Sequence, residues 1–232
     1  MPPSVPLRPS PSGGAAFVIR DAGLADTGAF MAVIAYADPA NPDPFGLARA
    51  ILASRPMPPL SHHRNLALVA EDSTTGAVVG ALLGGPPRWL FTHPGIDRVS
   101  LRETLTTRLG MINGFAVHPA HRHQGIGAAL LRAAEQRFTQ NRYGLVTLDH
   151  QPDLDAFYRR RGYTVDDALL VHLPQQRLIG MTVDDTRMSA KPLHPAVRLA
   201  DVPGAPHRII TGLLPGASLP AQARFDGNRL QY

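Results

Sequence analysis

The chain mixes short apolar runs of near-continuous or period-two character with one longer stripe of period close to four, and the two patterns predict different elements. "FVIRDA" (17–22) reads as a strand, followed by "LADTGAFMAVIAYA" (24–37), a segment of helical apolar spacing with Asp26 near its start. After the proline-rich "DPANPDPF", residues 45–53 predict a short second helix that "SRPMPPLSHH" ends. "NLALVAED" (65–72) and "AVVGALLGG" (77–85) are apolar runs joined by "STTG", a hairpin signal. "GMINGFAV" (110–117) predicts another strand. Beyond it Ile126, Leu130, Ala134 and Phe138 recur every four residues, with Arg132, Glu135 and Arg137 off that stripe, an amphipathic helix that closes near "QNRYG". "LVTLDH" (145–150) then predicts a strand, "DLDAFYRRR" (153–161) a short helix stopped by Gly162, and "YTV" and "RMSAKPL" (187–193) the last strands.

Three stretches carry less pattern. Residues 86–109 are long for a hairpin connection and hold the only tryptophan, Trp89, so they read either as a lid or binding loop or as a plain surface excursion. Residues 194–232 are rich in proline and glycine around one apolar island, "RIITGLL" (208–214). The opening "MPPSVPLRPSPSGG" lacks the apolar block of a secretory signal and reads as a disordered lead-in. The expected organisation is therefore a lead-in over 1–15, one domain over 16–193 and a C-terminal extension over 194–232, with no internal repeat. Dimerisation through that extension is compatible with this layout.

Composition narrows the class. Of 232 residues, 44% are hydrophobic and 18% charged, a soluble globular balance, and no apolar run reaches the ~18 residues that span a bilayer. Cysteine is absent, which excludes disulfides, thiolate metal sites and a cysteine nucleophile, and fits a cytoplasmic protein. The net charge of +5 is dispersed, and Lys191 is the single lysine, a skew that resembles coding bias more than a phosphate-tracking surface. Neither a nucleic-acid nor a membrane partner is expected, whereas a small anionic ligand is easily accommodated.

The candidate chemistry begins at "HRHQGIGAALL" (121–131). A strand, a glycine loop and a helix start in that order place free N–H groups and the positive end of a helix dipole beside residues small enough for close approach, which suits phosphate. Glycines serving turn geometry alone are the plainer alternative. A P-loop fails because Ala128 and Ala129 stand where Lys and Ser/Thr are needed, and a dinucleotide fingerprint is disfavoured because Leu130 replaces its third glycine, although Asp149 ends the next strand as that motif would want. His118, His121 and His123 lack the helical spacing or cysteine neighbours of a metal site, so no metal is expected.

Arg122-x-x-Gly125-x-Gly127 after "FAVHPAHR" resembles the acetyl-CoA loop of the GNAT N-acetyltransferase superfamily. "DAFYRRRGY" resembles its second signature, and "FVIRDAGLAD" its first strand and helix entry, so the resemblance covers roughly residues 16–193. It implies an α/β (α+β) fold, a mixed, mostly antiparallel sheet flanked by helices, with acetyl-CoA in the splay between the fourth and fifth strands.

The resemblance also implies roles. Phe115, Ala116 and Val117 would offer main-chain partners to pantetheine, with Val117 N–H polarising the thioester carbonyl. Arg122, His123, Gln124, Gly125, Ile126, Gly127 and Ala128 would wrap the pyrophosphate. Tyr158 would protonate the leaving thiolate, and Gln151 occupies a position where the family often has a cofactor-touching asparagine. Glu71, Asp72, Asp149 and His150 end strands where a general base could stand. The implied reaction moves acetyl from acetyl-CoA to a primary amine, on a small molecule or peptide, by direct attack in a ternary complex; a non-catalytic acyl-CoA-binding sensor or scaffold is the alternative. The acceptor itself has no signature, and its specificity is expected in 38–64, 86–109 and the tail.

Overall fold

The computed structural model describes residues 16–40 and 45–232; the expected lead-in over 1–15 lies outside the described residues. In chain order the strands are β1 (Phe17–Asp21), β2 (Leu66–Asp72), β3 (Val78–Gly85), β4 (Leu109–Val117), β5 (Leu145–His150), β6 (Thr164–Asp166), β7 (Leu169–Leu173), β8 (Arg177–Met181), β9 (Arg187–Pro192), β10 (Arg198–Ala200), β11 (Ile209–Thr211), β12 (Arg224–Phe225) and β13 (Leu230–Gln231). The α-helices are α1 (Thr27–Ile34), α2 (Gly46–Ala53), α3 (Val99–Thr106), α4 (Ile126–Gln140) and α5 (Asp155–Arg159).

Seven strands form the main sheet in the order β1-β2-β3-β4-β5-β9-β6. Every neighbouring pair is antiparallel except β4 and β5, which run parallel. This is the mixed, mostly antiparallel sheet flanked by helices that the sequence implies.

Alternation along the strands explains the two helical layers. Leu66 and Leu68 of β2, with Leu82 and Ile112, face α4 and share a cluster with its stripe of Ile126, Leu130, Ala134 and Phe138. Ala67, Val69, Ala81 and Leu83 point the other way, onto Phe30, Ile34 and Leu52 of α1 and α2. A strand covered on both faces has no polar face, which is why β2 reads as an unbroken apolar run.

The unassigned stretch between 167 and 186 forms the hairpin β7–β8, with Gln175 and Gln176 at φ +64° and +61° in its turn. Left-handed turn positions usually announce themselves by Gly or Asn, and glutamine gives no such signal. This hairpin joins the C-terminal segment in a second sheet of order β10-β11-β7-β8, where β11 runs parallel to β7.

The excursion 86–109 is built into the same unit. Leu90, Ile96 and Leu105 are buried in one cluster with Leu169, Val171 and Ile179 of the hairpin and Ile210 and Leu213 of the tail. Burial of each such leucine or isoleucine contributes about 1.5–3 kcal/mol, enough to hold the excursion as packed structure. Among the described residues no helix is long and apolar enough to cross a membrane.

Candidate active site

The cleft starts where β4 and β5 part. Their ladder holds only at Leu109–Leu145, Gly110–Val146 and Met111–Thr147, and β4 then continues for six residues with β3 alone beside it. The register with β3 slips between Leu83 and Gly84, leaving Asn113 as an extra residue on β4, a β-bulge at the point of divergence.

Ladder alternation decides which main-chain groups face the gap. His118 N donates to Val79 O at 2.9 Å, so Val117 and Gly80 are a non-hydrogen-bonded pair, as are Phe115 and Leu82 two residues back. The N–H and C=O of Phe115 and Val117 therefore point away from β3 into the opening. Ala116 lies between them with its own polar groups turned toward β3.

At the end of β4 the chain enters α4 through a loop. Gly125 precedes the helix at φ +82°, a left-handed conformation that costs a side-chain-bearing residue about 1–2 kcal/mol. The first bond of α4 to reach back runs from Ala129 N to Gly125 O, so the N–H groups of Ile126, Gly127 and Ala128 lie in the helix's open first turn, and no acidic residue stands there. Gly127 lies against the strand: a Cβ there would come 3.1 Å from Phe115 Cζ and 3.7 Å from Val117 Cγ2. His123 and Gln124 are exposed, and Ile126 is buried, so its offer to a ligand is its N–H. Arg122 reaches back to donate from Nε to Val117 O at 3.3 Å. The main-chain groups of Phe115, the N–H of Val117, the free N–H groups of the helix's first turn and the Arg122 cation lie along the α4 side of the sheet, and this set fits a phosphorylated pantetheine chain.

Tyr158 is buried on the same side. Its ring lies against His150, Phe157 and Tyr163 at centroid distances of 4.4, 5.0 and 5.6 Å. Burial, with the Asp149 carboxylate adding to it, pushes its phenol well above the ordinary tyrosine pKa and keeps it protonated. Gln151 is exposed, and its carbonyl accepts from His150 Nδ1 at 2.8 Å.

Of the carboxylates and imidazole that end strands, Asp149 is the one that lines a cavity formed by the described residues. Glu71 accepts from Arg20 Nε at 2.7 Å, Asp72 holds the β2–β3 turn through Thr74 N and Thr75 N, and His150 is enclosed between Gln151 O and Ser189 Oγ. Asp149 faces a cavity of about 300 Å³ on the α2 side of the sheet, and desolvation raises its pKa. Phe45, Leu47 and Ile51 line this cavity from one side, Arg88, Trp89 and Phe91 from the excursion, Met181 from β8, and Met111 and Asn113 from β4.

Sequence patterning pointed to 38–64 and 86–109 as specificity segments, and both supply walls. It offered nothing for Met181, because the hairpin that carries it has no turn signature. The tail lines no part of this cavity and acts from behind, through the cluster it shares with Leu90. Asp166, Asp167 and His207, far from the three loop histidines in sequence, bring their ligand atoms within 4.8 Å of one another. They are already paired, Asp166 with His207 and Asp167 with Arg187.

Comparisons with known proteins agree with this fold. The profile of the acetyltransferase (GNAT) family matches residues 32–163. A search of curated proteins finds no match. Among solved structures, Ard1 from Thermoplasma volcanium aligns at 19% identity and TM-score 0.50, over 76% of this chain and 97% of its own. A GCN5-related N-acetyltransferase from Kribbella flavida aligns at 19% and 0.50, over 76% and 98%. A GNAT superfamily phosphinothricin acetyltransferase from Sinorhizobium meliloti, solved in complex with AcCoA, aligns at 18% and 0.50, over 76% and 88%. At such identities the likeness is one of fold, whereas the family profile spans more than half of the chain and includes β4, the glycine loop and Tyr158. The protein belongs to the GNAT acetyltransferase family.

Proposed function

We propose that the protein is an acetyl-CoA-dependent N-acetyltransferase acting on a primary amine by direct attack in a ternary complex. The observation that carries this reading is the pairing of a carboxylate, Asp149, that opens to the α2-side cavity with a buried, protonated phenol, Tyr158, on the α4 side that feels its charge. Bound acetyl-CoA supplies an activated acetyl thioester. The chain's own residues do the rest.

Phe115 and Val117 hold the pantetheine arm through the main-chain groups they turn into the gap, and the first turn of α4 with Arg122 neutralises the phosphates. Asp149 receives the proton of the incoming ammonium, directly or through one water, which frees the nitrogen lone pair. Val117 N–H donates to the thioester oxygen as negative charge develops there. Tyr158 gives its proton to the departing sulfur as the C–N bond forms and the C–S bond breaks. The ammonium gives up two protons, one to Asp149 before attack and one as the amide forms; one replaces the proton that Tyr158 hands to sulfur and the other passes to solvent, so the balance closes without a covalent acyl-enzyme. That direct route fits a chain with no cysteine, which also fits a reducing cytoplasm.

The test is release of free CoA thiol from acetyl-CoA in the presence of amines. Amine-dependent release is expected. Acetyl-CoA binding without release over a broad amine panel would replace this reading with that of an acyl-CoA-binding module.

A further inference from the structure

Resting on the reading of the cleft as an amine acetylation site, the cavity walls allow the acceptor class to be narrowed. About 300 Å³ lies at the small end of ligand sites, which excludes acceptors of oligosaccharide size from full burial. The lining is mainly apolar, with a single carboxylate, Asp149, and a single cation, Arg88. Phe91 and Leu47, which line the cavity and are 52% and 49% exposed, present large apolar surface that no described residue covers. The short helical turn 88–91 also holds two unpaired donors. Arg88 has no acceptor or counter-ion among the described residues, and the buried Nε1–H of Trp89 likewise has none.

We propose that this cavity selects a compact primary amine with an apolar, aromatic-sized body and a carboxylate, the chemistry of an apolar amino acid. Asp149 meets the ammonium, the Trp89–Phe91–Met181 wall takes the body, and Arg88 meets the carboxylate. A polyamine would bring several positive charges to one carboxylate and leave Arg88 facing a like charge. A lysine side chain in a peptide would offer the amine without filling the walls.

The experiment compares phenylalanine, phenethylamine, spermidine and a lysine-containing peptide by two independent readouts. One is thiol release from acetyl-CoA; the other is fluorescence of Trp89, the sole tryptophan, titrated with each amine in the presence of CoA. Phenylalanine is expected to give the highest kcat/KM and to shift Trp89 emission. Arg88→Ala, at an exposed position, should lower kcat/KM for phenylalanine by about tenfold, the loss expected for one charge-assisted contact, and leave phenethylamine unchanged. Thiol release that favours spermidine or the peptide, with no emission change on adding phenylalanine, would overturn the acceptor assignment and leave acetyl transfer standing. An emission change with phenylalanine but no thiol release from any amine would support the acceptor class and overturn the transferase reading. Equal loss with phenylalanine and phenethylamine in the Arg88→Ala protein would remove the carboxylate from the proposal.

Discussion

Tyr158 lies over His150 with ring centroids 4.4 Å apart and planes 32° from parallel. His150 is itself held in place by two hydrogen bonds. Its Nδ1–H donates to Gln151 O, since a carbonyl only accepts, and its Nε2 pairs with the Ser189 hydroxyl at 2.8 Å. The phenol proposed as the acid thus rests on an imidazole fixed at both nitrogens and anchored to β9.

Tyr158→Phe retains that stack and removes only the proton. Turnover is expected to fall by about 10²-fold, the lower range for loss of a general acid, with acetyl-CoA affinity and melting temperature unchanged. Because burial raises the phenol pKa, the wild-type kcat should show no loss from this group up to pH ~10, the ordinary tyrosine value. Steady-state kinetics across pH, paired with calorimetric binding, checks both parts.

Asp149 carries opposite signs for stability and activity. Asp149 keeps solvent access through the cavity, but partial desolvation raises its folded pKa above the unfolded value, so its ionisation costs some stability as pH rises through that window, and the full cost is present above the folded pKa. Asp149→Asn should therefore be more stable than wild type in urea at neutral pH and equal to it near pH ~3, below the ordinary carboxylate pKa. Its turnover should fall, and the acid limb of wild-type kcat/KM should lie above the ordinary carboxylate range.

Gly125→Ala places a side chain at φ +82° and should cost about 1–2 kcal/mol in stability. Any relaxation of the loop turns the first-turn N–H groups of α4 away from their ligand. Acetyl-CoA binding measured by calorimetry should weaken, and amine KM at saturating acetyl-CoA should stay unchanged.

Leu213→Ala removes a buried side chain from the cluster that joins the tail to the excursion and should destabilise the protein by about 2–5 kcal/mol. Because that cluster supports Trp89 and Met181, amine KM should rise while acetyl-CoA KM holds. Equal changes in both would show that the cluster supports the whole cleft.

Legibility in the sequence followed the physics of each feature. The α4 stripe, the two-residue-spaced glycines and the Phe157–Tyr158 pair are side-chain patterns, and each appears where its spacing implied. The parting of β4 from β5 and the bulge at Asn113 are relations between backbones, which no residue type announces in "GMINGFAV". The β7–β8 hairpin stayed hidden because glutamines occupy its left-handed positions. Asp149 looked equivalent to Glu71 and Asp72 along the chain, and what singles it out is the tertiary pairing of Glu71 with Arg20 and the local turn bonds of Asp72 to Thr74 and Thr75.

The cluster of Leu90, Ile179 and Leu213 draws most of its residues from chain beyond the segment matched by the family profile, and meets that segment through the excursion and Leu145 of β5. On the proposed roles, the cofactor grip belongs to the strand–loop–helix that the family profile covers, while part of the acceptor wall rests on this C-terminal annex. Such an arrangement lets selectivity drift: substitutions in the annex can reshape what enters the cleft without disturbing how the acetyl donor is held.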